Sequence, residues 1–136
     1  MLWSTEYETG HAKIDEQHKR LFEEVEKLIM ASGKKDSDET VLKTSMFMLS
    51  YAINHFSTEE RLMLESDYPK YEEHKEQHNE FVGKATELVR LHNTDGMLSI
   101  ENAIKSFVMP WLREHVIGRD KEMATHYKKW EEKETE

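Results

Sequence analysis

The chain has 136 residues, of which 35% are charged, with a net charge of -9 and no cysteine. That length fits one domain with a buried core, and the acidity speaks against nucleic acid or an anionic membrane as a partner. Without cysteine there are no disulfides, thiolate zinc sites or iron–sulfur clusters. Five glycines and two prolines favour long helices over a turn-rich sheet. The start, Met1-Leu2-Trp3-Ser4, carries no basic region ahead of an apolar run, and the longest apolar stretch, Phe107 to Leu112, is far too short to span a bilayer. The expected compartment is therefore cytoplasmic.

Residues 1–13, with Trp3, Tyr7 and Gly10, read as an extended arm. Asp15 is placed to cap a first helix whose apolar positions Leu21, Phe22, Val25, Leu28 and Ile29 follow a one-sided spacing. Ser32 to Asp38 reads as a loop. A second helix is expected from about Glu39 to Ser66 with an inner stripe of Leu42, Met46, Leu49, Ile53, Phe56, Leu62 and Met63. Pro69 ends it, because the residue before proline is pushed away from helix. A third helix is expected from about Tyr71 to His92, followed by a turn at Asn93-Thr94-Asp95-Gly96. A fourth begins near Met97 and carries Ile100, Ile104, Phe107, Val108, Leu112 and Val116, with Pro110 kinking it or starting a new segment. The polar tail from Lys121, with Tyr127 and Trp130, reads as a short helix that frays. The whole is expected to be a single all-α domain, an up-down-up-down antiparallel four-helix bundle, with arm 1–13, bundle 14–117 and tail 118–136.

Five histidines stand at fixed offsets from a second donor or from a helix start: His18 in Asp15-Glu16-Gln17-His18, His55 four before Glu59, His74 four before His78, and His115 five before Asp120. Residues four apart on a helix differ by about 40° and share a face, so His55 with Glu59, and His74 with His78, can each converge on one centre. His115 and Asp120 differ by about 140° on an ideal helix. They converge only if a bulge or a helix end near Gly118 swings Asp120 inward. Imidazole with carboxylate suits a borderline first-row metal, iron above all, and these donors are too many for one ion. Two octahedral metals bridged by both carboxylates and one solvent oxygen come out one ligand short. An open position on a redox metal is where a small molecule binds. His11, His92 and His126 fit no such offset and read as surface histidines, and Glu60, Glu72, Glu73 and Glu114 read as solvated faces or as acceptors for a ligand's second ring N–H.

At these positions the chain resembles the hemerythrin family, in its short single-domain bacterial form. The matching strings are Trp3…Gly10…Ile14-Asp15-Glu16-Gln17-His18-Lys19-Arg20-Leu21-Phe22, His55-Phe56-Ser57-Thr58-Glu59-Glu60, Tyr68-Pro69…His74…His78…Phe81, and Trp111-Leu112…His115…Asp120. The resemblance implies two iron ions with an oxo or hydroxo bridge. One iron is held by His74, His78 and His115, the other by His18 and His55, with Glu59 and Asp120 bridging. It implies reversible binding of dioxygen, end-on at the five-coordinate iron as a hydroperoxide, for storage, delivery or scavenging rather than as an enzyme. Leu21, Phe56, Leu112 and Val116 adjoin the donors and offer no proton, so they read as a dry ligand-pocket wall that favours reversible binding. Pro110 beside Trp111 departs from the family's usual fourth helix, and Val25 stands where relatives often carry a polar residue. Two other classes remain open: a sensor of oxygen, redox state or nitric oxide acting through a protein partner, and a di-iron enzyme or iron store. Ferritin-type bundles place Glu-x-x-His on two helices, whereas here only Glu8…His11 fits that string, in the arm.

Overall fold

The computed structural model describes residues 3–33, 38–95 and 104–135. The expected loop centre at 34–37, and the expected turn end and helix start with Gly96, Met97 and Ile100, lie outside them. Three long helices, α1 (Ala12–Gly33), α2 (Asp38–Glu65) and α3 (Tyr71–Asp95), are followed by a fourth helical rod. The rod runs through a π-helical turn at Ile104–Val108, α4 (Met109–Glu114), a second π-helical stretch at His115–Asp120, and α5 (Lys121–Glu134). Every junction residue keeps right-handed helical backbone, among them Val108, His115, Asp120 and Lys121. No strand occurs among the described residues, and the protein is an all-α antiparallel bundle.

Several local expectations are corrected. The first helix starts at Ala12, ahead of Asp15. The His11 ring does the capping, since its Nδ1 accepts the Ile14 N–H at 3.3 Å. Asp15 instead grips the arm, its carboxylate accepting from the Thr9 N–H (2.8 Å) and the Thr9 hydroxyl (2.7 Å). The arm is not extended throughout: it makes a 3₁₀ turn at Thr5–Tyr7, and buried Tyr7 stacks on Phe22 at 5.1 Å. The third helix runs on through the expected turn residues to Asp95. The tail does not fray at its start. Helix continues unbroken across 118, and α5 buries Met123, Ala124 and Tyr127, whose spacing gives it one apolar face.

The inner face of α2 is also corrected. Met46 and Ile53 are 54% and 44% exposed, whereas Ser45, Met48, Ala52, Phe56, Leu62 and Met63 are buried. Met46 and Ile53 are the more apolar, yet small Ser45 and Ala52 are the residues fully enclosed. Pro110 sits in the first turn of α4, directly after the π-helical turn. The wider turn accommodates a ring that lacks an N–H and crowds the preceding carbonyls.

The core has two apolar layers. One holds Leu21, Phe22, Val25, Met48, Ala52, Phe56, Phe81, Leu112 and Val116. The other holds Ile14, Leu62, Met63, Tyr68, Met123, Ala124 and Tyr127. Most of the predicted donors fall between them along the chain: His18 between Ile14 and Leu21, Glu59 between Phe56 and Leu62, His74 and His78 between Tyr68 and Phe81, and Asp120 between Val116 and Met123.

The end of α2 shows why the donors hold their height. Asp67 takes a left-handed backbone with φ of 52°. The Tyr68 N–H returns to Met63 O at 2.9 Å, and the Asp67 N–H returns to Leu64 O at 3.3 Å. Together they satisfy the last carbonyls of the helix. His126 Nε2 donates to Ser66 O at 2.8 Å, so α5 caps the same end. Glycine adopts this left-handed position without a Cβ penalty. Asp67→Gly is therefore expected to raise stability by about 1 kcal/mol, read as a higher denaturant midpoint at unchanged slope.

Candidate metal centre

The structure brings all seven predicted donors to one buried point, and each is at most 4% exposed. Two groups form, sharing Glu59 and Asp120: Glu59, His74, His78, His115 and Asp120 on one side, and His18, His55, Glu59 and Asp120 on the other. The carboxylates divide their oxygens between the groups. Glu59 Oε1 lies 3.0 Å from His78 Nε2 and 3.8 Å from His74 Nε2. Its Oε2 lies 3.5 Å from His55 Nε2 and 3.6 Å from His18 Nε2. Asp120 Oδ1 is 3.0 Å from both His74 and His115 Nε2, while Oδ2 is 2.8 Å from His18 Nε2.

Asp120 reaches the site because residues 115–120 are π-helical. Each turn there closes with an i→i+5 pattern, which sets His115 and Asp120 one above the other rather than about 140° apart as in an ideal α-helix. The bulge expected near Gly118 is present, but the helix does not end there. Gly118 itself is not sterically required, for a Cβ on it would meet nothing within 4 Å.

The polar atoms at the centre are close but poorly satisfied. Among the described residues, the buried side-chain atoms without a hydrogen-bond partner are Trp3 Nε1 and otherwise only donors: both ring nitrogens of His18, Nε2 of His55 and His74, and all four oxygens of Glu59 and Asp120. The short contacts between them are ionic approaches that are not directed as hydrogen bonds. Each orphaned atom costs about 1–3 kcal/mol when nothing replaces water, so plain packing does not account for the cluster. A nitrogen and oxygen donor set of this size, with the carboxylate oxygens split two ways, fits a pair of first-row metal ions.

Three of the outer ring nitrogens are held from behind. His78 Nδ1 faces Glu60 Oε2 at 3.0 Å, His55 Nδ1 faces Gln17 Oε1 at 2.8 Å, and His115 Nδ1 faces Gln77 Oε1 at 3.2 Å. Glu60 takes the role foreseen for one of the flanking glutamates. The two glutamines were missed. Their signal is that each directly precedes a donor histidine, Gln17-His18 and Gln77-His78, and so points off the same turn towards the next helix. Aromatic rings pack the donors further: Phe56 stacks on His78 at 4.0 Å, and Trp111 on His115 at 4.4 Å. Leu21, Phe56, Leu112 and Val116 are all buried beside the donors. Phe56 lies flat on His78 across the interface and only tilted to His55, its chain neighbour, at 5.8 Å.

Burial by itself lowers an imidazole's affinity for protons, yet His18 is raised to about 10 because Asp120 and Glu59 outweigh that penalty. His74 is raised to about 9 and His78 is also raised, against the same burial and by the surrounding carboxylates. His115 goes the other way, held down by burial. Burial works to raise Glu59 and Asp120, but the surrounding imidazoles hold both well below the usual carboxylate range. Metal-free, the centre therefore keeps its carboxylates ionised and draws in protons to balance them.

A family model described as the hemerythrin HHE cation-binding domain matches residues 9–127. The chain belongs to the hemerythrin family. A hemerythrin domain is a di-iron, oxygen-binding domain. The bacteriohemerythrin of Clostridium acetobutylicum is 30% identical over 125 residues, covering 89% of this chain and 96% of that protein. The hemerythrin-like protein of Naegleria gruberi is 30% identical over 118 residues, covering 87% and 86%. The myohemerythrin of Riftia pachyptila is 25% identical over 119 residues, covering 88% and 87%. No helix among the described residues is long and apolar enough to cross a membrane.

Two outcomes are expected of this hemerythrin centre. Charged imidazoles stabilise the metal-free fold fully below the unfolded histidine value of 6.5, and that stability is lost as pH rises through about 9 for His74 and about 10 for His18. Across this window His115 is neutral, and the carboxylates are ionised, in both folded and unfolded chains. The melting temperature of chelator-treated protein should thus fall between about pH 7 and pH 10. Metal-loaded protein should fall much less, because metal rather than proton balances the carboxylates. Second, Gly118→Ala should keep the metal content and gain up to about 1 kcal/mol in thermal melts.

Proposed function

We propose that this protein binds dioxygen reversibly at a non-heme di-iron centre, as a carrier, store or scavenger rather than an enzyme. His74, His78 and His115 would hold one iron, His18 and His55 the other, and Glu59 and Asp120 would bridge them. The observation that carries the reading is the split of both carboxylates between a five-donor and a four-donor group. With one shared solvent oxygen, the first group would offer six donors and the second five, one short of an octahedral set. A ferrous pair held by these residues would supply two electrons and one coordination position for dioxygen.

The chain's own residues do the rest. Glu59 and Asp120 offset most of the buried positive charge, which an apolar interior would not otherwise tolerate. Glu60 accepts the His78 Nδ1–H at 3.0 Å and makes that imidazole a stronger donor. Leu21, Leu112 and Val116, each 1% exposed, offer neither water nor a proton donor. A ligand arriving beside them is kept from the protonation that would release it as peroxide.

The test is a visible spectrum. Anaerobically reduced protein should gain a charge-transfer band on admission of air and lose it on deoxygenation. Rapid irreversible bleaching with release of peroxide would instead favour an enzyme or a sensor, and a protein free of iron after expression in iron-replete medium would end the proposal. Asp120→Ala should fail to retain two irons by metal analysis; full retention with a normal spectrum would refute the bridging assignment.

A further inference from the structure

Of the two imidazoles in the four-donor group, only one is oriented. His18 Nδ1 is buried without a hydrogen-bond partner. His55 Nδ1 lies 2.8 Å from Gln17 Oε1 of α1. The orientation of that amide is itself determined. Gln17 Nε2 points to Thr58 Oγ1 at 3.3 Å, and the Thr58 hydroxyl spends its proton on Asn54 O at 3.3 Å. A hydroxyl whose proton is committed can only accept from the amide NH2. Gln17 must then turn its carbonyl to His55, and a carbonyl can meet Nδ1 only if that nitrogen carries the proton.

From this chain of donors we infer that Thr58 and Gln17 are positioning residues that fix the tautomer of His55, leaving its Nε2 lone pair aimed at the metal. The inference rests on the two-metal reading above and goes further by assigning a task to residues that touch no metal. Gln77 repeats the arrangement in the five-donor group, its Oε1 facing His115 Nδ1 at 3.2 Å. Each Gln-His dipeptide therefore delivers one donor to its own group and orients a second across a helix–helix boundary: Gln17 from α1 to α2, and Gln77 from α3 to the fourth rod. Docking of adjacent helices and ligand orientation become one event in each group.

The experiment titrates the metal-free full chain with Co2+ alone, without oxygen, following d–d absorption and binding heat. Wild type should take up two equivalents. Gln17→Met and Thr58→Val should each weaken one equivalent by about 10–100-fold and leave the other at its wild-type affinity and spectrum. Gln17→Glu, which keeps an acceptor oxygen in place, should restore it. Gln77→Met should weaken the equivalent that Gln17→Met leaves intact. A merely structural role would lower both equivalents together or shift only the melting temperature. Either that pattern, or wild-type affinity in both Gln17→Met and Thr58→Val, would overturn the inference. Failure of wild type to bind a second equivalent would instead overturn the two-metal reading, and this inference with it.

Discussion

Two carboxylates buried among five imidazoles govern this structure. Glu59 and Asp120 are fully enclosed, and neither makes a directed hydrogen bond. An ionised pair in that setting persists only with positive charge packed around it. Everything near them serves that need. Four helical segments converge at one height, two apolar layers seal the polar one from above and below, and aromatic rings on His78 and His115 keep the imidazoles upright. Protons meet the need poorly, since the carboxylates raise the proton affinity of His18 and His74 while burial leaves that of His115 depressed. Two dications would meet it better, with one oxygen of each carboxylate for each ion.

Much of this was legible in the sequence. His55 with Glu59, and His74 with His78, are legible because a four-residue step is local helix geometry. Leu21, Phe22, Phe81 and Leu112 were legible as core because large apolar side chains recur on one face. Illegible features depend on partners far away in the chain or on unobtrusive residues. The inner face of α2 is set by Ser45 and Ala52, which carry little hydrophobic signal, while Met46 and Ile53 carry much and face out. Their true phase was present in the donors themselves, since His55 and Glu59 continue the spacing of Met48 and Ala52. Gln17 and Gln77 were hidden for another reason: their targets lie 38 residues away in each case.

His126 and His11 carry a related lesson. Neither matched a metal offset, and neither is surface decoration. His11 caps the start of α1, and His126 caps the end of α2 from across the bundle. Both act on helix ends, where backbone groups lack partners, and both lie at the apolar layer built from Ile14, Met63 and Met123. The arm and the last helix are thus stitched to the layer beneath the metal centre. Lys121 adds a further stitch by donating to the Glu6 carbonyl.

The π-helical stretch at His115–Asp120 has a second effect beyond aiming one carboxylate. One residue absorbed into a wide turn rotates everything downstream by about 100° relative to a plain α-helix. Ala124, twelve residues after Leu112, would stand about 120° from it on a plain α-helix, and that rotation brings it to within about 20°. Ligation and packing are therefore written into a single unit of phase. The spacing between His115 and Asp120 cannot drift by one residue without turning an apolar face to water and a buried carboxylate away from its partners at once. That double penalty holds this segment to its length, although Gly118 within it is free to vary in kind.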